Sequence, residues 1–148
     1  MAQFVFTEDH SAGLVARITL AVVLLPHGLQ KSLGMFGGKG LIPALDDFVL
    51  QGIPYYLGIA VIAGETIGVI SLLIGLAGRF MALWIAAIML GTIIKVHYAY
   101  GFFMNWSGMK EGEGFEYHLL VFGLALIIMI AGSGTASVDR ALTRRYWG

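Results

Sequence analysis

The chain has 148 residues, of which 58% are hydrophobic and 12% charged, with a mean hydropathy of +0.84 and a formal net charge of zero. A soluble domain carries about 25% charged residues, so the composition excludes an ordinary soluble globule and indicates an integral membrane protein, while zero net charge gives no electrostatic footing for nucleic acid. The absence of cysteine excludes disulfides, thiolate metal sites, thiolate-held Fe–S clusters and any thiol or persulfide relay on this chain.

The N-terminus, MAQFVFTEDHSAGLVAR, carries Glu8 and Asp9 where a secretory signal would carry Lys or Arg. The first apolar segment is therefore expected to stay as an anchor. It covers about residues 13–30, near the ~20 residues that cross a bilayer core. Three more spans follow at about 55–77, 80–103 and 116–132, and helix is the state that leaves no backbone group unpaired in lipid. Between the first two spans, LIPALDDFVL places Leu41, Leu45, Phe48 and Val49 on one face and Asp46 and Asp47 opposite, which predicts a short interfacial helix. The tight LAGR turn links the second and third spans, and the glycine-rich, polar MNWSGMKEGEG links the third and fourth. A last helix is expected from Ser137 to Tyr146, capped by Ser137 and anchored by Tyr146 and Trp147. No internal repeat or domain boundary interrupts the chain, so residues 1–148 read as one all-α domain, a four-helix transmembrane bundle. Arg79, Arg140, Arg144 and Arg145 fall on one side and Lys31, Lys39 and Lys110 on the other. The positive-inside rule then puts both termini in the cytoplasm.

Glu65 lies near the centre of the second span, YLGIAVIAGETIGVISLLIGLA. An acidic residue at that depth costs roughly 2.5–3.5 kcal/mol, so it needs a partner or a proton. It flanks a small-residue stripe of Ala60, Gly64, Gly68, Ser71 and Gly75, the kind of surface on which helices approach closely. On the first span, Arg17, His27 and Lys31 fall within an arc of about 80° and should face the bundle. At 1.5 Å per residue, Glu65 lies about 15 Å below the exterior boundary, with Arg17 at about 20 Å and Lys95 at about 10 Å. Either cation could pair with it. Such a group is a functional candidate by default, and a purely structural ion pair accounts for it equally well.

His27, His97, Glu116 and His118 gather within roughly two turns of the same boundary. They lack the local i, i+3 or i, i+4 spacing of a helix-borne metal site, so no metal is predicted and interfacial hydrogen bonding explains them as well. A quinone head group needs a donor for each carbonyl, an apolar slot and access from the membrane. His27, Lys31, Lys95, His97 and Tyr98 could serve it, with Phe102 and Phe103 as walls; the competing explanation is an aromatic belt. The GGKG stretch is no P-loop, because Leu33 stands where its first glycine belongs and Gly40 where Ser or Thr is needed. No Ser-His-Asp arrangement or helically spaced carboxylate pair supports a hydrolase.

HGLQKSLGMF, GETIGVISLLIGLAGRFMAL and GLALIIMIAGSGTASVDRAL together resemble the DoxX family of bacterial and archaeal four-helix membrane proteins. Glu65, Gly68, Gly75 and Arg79 look like the family's spaced Glu, Gly and Arg, and Lys31 like its lysine after the first helix. The resemblance implies a place in the prokaryotic cytoplasmic membrane and a link to thiosulfate:quinone oxidoreductase and other redox assemblies, but no agreed catalytic residues. The expectation is a quinone-linked redox protein in which Glu65 with Arg17 or Lys95 forms a buried network and His27, Lys31, His97 and Tyr98 line the head-group site. It would work with partner chains in a larger complex or as a homo-oligomer. The alternative is a non-catalytic assembly subunit; a transporter is a weaker third, since four helices line a path only as an oligomer.

Overall fold

An apolar chain must pair its backbone polar groups within each segment, and here it does so by helix throughout. The computed structural model describes residues 11–147, the side chains of Tyr146 and Trp147 aside, and no strand occurs among them. The acidic pair Glu8 and Asp9 and the two terminal aromatic anchors thus lie outside the described residues. In chain order the elements are α1 (Ser11–Leu33), α2 (Leu41–Leu50), α3 (Tyr55–Ile74), α4 (Gly78–Tyr100), α5 (Glu116–Ala131) and α6 (Val138–Trp147). Three of these, α1, α3 and α4, are long and apolar enough to cross a membrane, and α5 is a shorter apolar helix. α1 exceeds the expected 13–30 at both ends, while α3 stops at Ile74 because Gly75 turns left-handed at φ +70°.

The core is drawn from α1, α3, α4 and α5, with Leu20, Val69, Leu72, Ile85, Ala125 and Ile128 fully buried. Around it stand exposed apolar side chains such as Val22, Ile67, Leu90 and Ile130. This is the pattern of helices whose outer faces meet lipid rather than water. α2 forms a smaller cluster with α3, in which Leu45 and Phe48 pack with Ile53 and Ile62. Its expected apolar face divides: Leu45 and Phe48 turn inward over Gly58, while Leu41 and Val49 stay exposed at 44% and 50%. α2 thus packs through this face as a lid on α3. Asp47, on its polar side, pairs with Lys39 at 2.7 Å.

Two glycines set the helix approaches that matter. A side chain at Gly28 would strike the Glu65 backbone, so α1 and α3 touch main chain to main chain at that level. A side chain at Gly64 would strike Ile88, so the small-residue stripe of α3 faces α4 while Glu65, the next residue, looks toward α1.

The end of the bundle where α3 turns into α4 is closed by a polar clasp. Arg17, 1% exposed, spreads its guanidinium over five backbone carbonyls: Ser133 (3.0 Å), Leu72 (3.3 Å), Leu73 (2.6 Å), Thr135 (3.1 Å) and Ala136 (2.5 Å). These carbonyls lie at the end of α3 and in the α5–α6 connection, where helical donors run out, although Leu72 also accepts from the Gly75 amide at 3.0 Å. Asp139 does the reverse at the start of α4. Its carboxylate accepts from the amides of Ala77 (2.8 Å) and Gly78 (2.9 Å) and from Ser133 Oγ (2.6 Å), complementing the helix N-terminus. Ser137 caps α6 as expected, its Oγ accepting from the Arg140 amide at 3.1 Å.

Replacing Arg17 by Met should lower stability by about 3 kcal/mol or more, because several buried carbonyls lose their donor at once. Arg17→Lys should cost less than Arg17→Met, since an ammonium reaches only some of them. Thermal unfolding of the purified protein in detergent reads both, and an unchanged midpoint for Arg17→Met would show that the clasp is not what closes this end.

Candidate functional site

At the opposite end, the helices enclose a cavity of about 420 Å³. Its polar lining includes His27 and Lys31 from α1, Glu65 from α3, Thr92 and His97 from α4, Tyr117 and His118 from α5, and Gln51 after α2. Leu24, Phe48 and Met89 supply apolar wall, and Met104 and Glu113 close one side from the α4–α5 connection.

The organising contact is an ion pair. Lys31 Nζ donates to Glu65 Oε2 at 2.5 Å, with the two side chains 30% and 7% exposed. The expected partners of Glu65, Arg17 and Lys95, are both engaged elsewhere. Arg17 belongs to the clasp at the far end of the bundle, and Lys95 lines a separate groove between α3 and α4. The expectation assumed that all spans end in one plane. Gly28 lies against the Glu65 backbone, so α1 ends at Leu33, only about 7 Å above that level. α3 rises about 15 Å above it, from Glu65 to Tyr55. Lys31 therefore stands one turn above the carboxylate and reaches down to it, and α2 fills the step that the shorter α1 leaves.

Local helix irregularities aim the remaining groups. α3 widens to a π-turn over Gly64–Gly68 and α4 over Ile93–His97. These segments hold Glu65 in one case and Lys95 and His97 in the other, in keeping with the frequent placement of π-turns at functional sites. Lys95 and His97 point to opposite sides, as their spacing implies, and His97 is the one that lines the cavity. Its Nδ1 donates to the Glu113 carbonyl at 2.8 Å, which leaves Nε2 as the acceptor nitrogen. The His97 and His118 rings lie 4.0 Å apart between centroids, and His27 approaches Tyr117 at 6.3 Å.

Glu116, opposed to His118 on α5, serves the loop: it accepts from the Met104 amide at 2.9 Å and from Trp106 Nε1 at 3.2 Å. Among the described residues no group of three or more His, Cys, Asp or Glu side chains is placed to hold a metal ion. Tyr98 is 72% exposed and stacks on Phe115 at 6.4 Å, outside the cavity. Its expected place is taken by Tyr117, which sequence reasoning passed over because the FEYHLL stretch drew attention only to Glu116 and His118.

Two atoms of the cavity lining stand out. Tyr117 Oη and His118 Nδ1 are buried and have no hydrogen-bond partner within the protein. Buried polar atoms without partners are rare, and both side chains line the cavity. The site thus offers an unspent hydroxyl and an unspent imidazole nitrogen beside a charge-balanced ion pair.

The sequence profile of the DoxX family matches residues 12–98. The chain is 29% identical over 136 residues to the Escherichia coli (strain K12) "Inner membrane protein YqjF", covering 90% of this chain and 93% of that protein. It is 28% identical over 126 residues to the Bacillus subtilis (strain 168) "Putative oxidoreductase CatD", covering 85% and 83%. No solved structure matches the chain.

Because the Glu65 carboxylate is the more buried partner, Lys31→Met should cost more than Glu65→Gln. The former strands a buried charge, and the latter leaves a lysine that can turn toward the surface. About 2–4 kcal/mol is expected for Lys31→Met and about half of that for Glu65→Gln. The double variant should be more stable than Lys31→Met alone, and a double-mutant cycle on thermal midpoints measures the coupling.

Proposed function

The chain belongs to the DoxX family, and from that premise we propose that it is a quinone-linked redox protein of the membrane, acting as a subunit of a larger complex. The carrying observation is the polar cavity itself, whose lining includes two hydrogen-bonding atoms without partners within the protein. The name of one relative, "Putative oxidoreductase CatD", agrees with a redox role.

A quinone brings the chemistry of taking up two electrons and two protons to give the quinol. The residues here fit its head group: Tyr117 Oη and His118 Nδ1 can each hydrogen-bond a ring oxygen, while Leu24, Phe48 and Met89 hold the ring faces. His97 is fixed through Nδ1 by the Glu113 carbonyl, so its Nε2 can take up or release a proton toward the neighbouring His118. The Lys31–Glu65 pair keeps the floor neutral and holds a proton that can be moved as charge changes above it. The electron pair passes to or from a partner subunit. Arg17 has no part in this site, and Lys95 stands outside it.

In the membrane, α5 completes a four-span bundle, α2 lies at the interface, and the cavity opens to the exterior. The arginines Arg79, Arg140, Arg144 and Arg145 follow or flank the clasp segments in sequence, and the positive-inside rule supports a cytoplasmic side for both termini. The second reading is a non-catalytic assembly subunit. It is favoured by the clasp, where Arg17 and Asp139 serve only to lock helices together.

Glu65→Gln and His118→Ala proteins should reach the membrane and fold, yet lose quinone-coupled turnover in native membranes by about two orders of magnitude. Normal turnover in well-folded Glu65→Gln protein would favour the assembly reading. Since the chain lacks cysteine, single introduced thiols report orientation directly. Trp106→Cys should react with a membrane-impermeant maleimide in intact cells, and Arg145→Cys only after lysis.

A further inference from the structure

Beside the polar cavity runs a second space of about 510 Å³, between α3 and α4. It begins at Trp84, passes Ile88 and Gly91, and ends at Lys95 beside Pro54 and Leu57. From Trp84 to Lys95 is about 16 Å along α4, roughly half of a ~30 Å hydrocarbon core. Apart from the Lys95 ammonium, its lining carries no charge.

The groove exists because α3 and α4 pack closely over Gly64–Ile74 and part over Tyr55–Ala63. It lies open on the outer side, where Leu57, Gly91 and Lys95 are exposed. On its inner side it shares two residues with the polar cavity, Val61 and Thr92, which line both. Thr92 turns its hydroxyl back to the Met89 carbonyl at 3.0 Å, so the partition presents only methyl groups. A polar chamber for a ring and an apolar channel of one leaflet's depth therefore meet at a thin apolar wall.

We infer that the substrate is an amphiphile with a long apolar tail, which enters head first from the lipid between α3 and α4 and leaves its tail in the groove. Val61 and Thr92 form the portal, and Gly91 sets the width of the tail channel. Lipid tails are as apolar as the groove, so the tail gains little binding energy there. The channel acts by admitting or excluding it. This rests on the head-group reading of the polar cavity, and it adds the class of substrate and the direction of entry.

Gly91 supplies a clean test, because a side chain there would meet nothing within 4 Å and replacing a mid-helix glycine favours the helix. Gly91→Phe should fill the channel without unfolding the protein, and Gly91→Ala should leave the channel open. Binding of a benzoquinone bearing an isoprenoid tail, and of the same ring bearing only a methyl group, is measured on the full chain in nanodiscs. Comparing each ratio with wild type cancels partitioning into lipid. Gly91→Phe is expected to weaken the tailed compound on the order of tenfold and to leave the tailless one unchanged, with Gly91→Ala like wild type for both. If Gly91→Phe affects neither compound, as a resident lipid chain would give, or both equally, the tail channel is overturned and the head-group cavity stands. If wild-type protein binds neither compound, the head-group reading falls and the channel falls with it.

Discussion

The contact of α1 with α3 at Gly28 is the constraint on which the rest of the structure depends. With no side chain at 28, the two backbones meet at the level of Glu65. That single approach fixes where the lysine one turn later can reach. Lys31 meets the carboxylate at 2.5 Å, and an acidic group costing roughly 2.5–3.5 kcal/mol in an apolar helix becomes part of a neutral pair. It also leaves α1 shorter than α3 at this end. α2 occupies the resulting step, and its Phe48 closes the cavity that the pair floors. Ion pair, step, lid and cavity are consequences of one missing Cβ.

The two ends of the bundle use polar residues in opposite ways. In the clasp, Arg17 and Asp139 are matched: the guanidinium hydrogen-bonds to carbonyls, and the carboxylate accepts from two amides and a hydroxyl. Such saturation fixes the turn between α3 and α4 and the entry into α6. At the other end, five aromatic or imidazole rings line a space of about 420 Å³, and two of their polar atoms are unmatched. A saturated network stabilises one arrangement; an unsaturated one reserves its hydrogen bonds for something not part of the chain. Rigidity at the clasp therefore supports openness at the cavity.

Much of the fold was legible because hydropathy and helix length are local properties. The apolar stretches, the short helix at Leu41–Leu50 and the Ser137 cap all follow from sequence spacing. The inward stripe was legible in part: Arg17 is buried and Lys31 half-buried, while His27 is exposed at the cavity it lines. What spacing could not supply was relative height. Treating the helix ends as coplanar paired Glu65 with Arg17 or Lys95, and only the Gly28 approach reveals Lys31 as the partner. Nor does a uniform 100° per residue describe α3 and α4, whose π-turns hold Glu65 and His97. Tyr117 carried no signal of its own, because a tyrosine near a helix start reads first as an interfacial aromatic.

The separation of roles among the cations follows from what each side chain can bind. A planar guanidinium with five donors suits five carbonyls converging from the end of α3 and the α5–α6 connection, and Arg17 is placed at that convergence. A flexible ammonium suits a single carboxylate reached from above, and Lys31 is placed there. Lys95, exposed on the π-turn of α4, has neither environment and stands at the outer end of the apolar groove. One positive charge thus locks the fold, one neutralises the buried acid, and one marks the edge of the hydrocarbon. Exchanging the first two would leave a fork with one acceptor and a point charge among five, so their order along α1 is itself part of how the sequence specifies which end is closed and which is open.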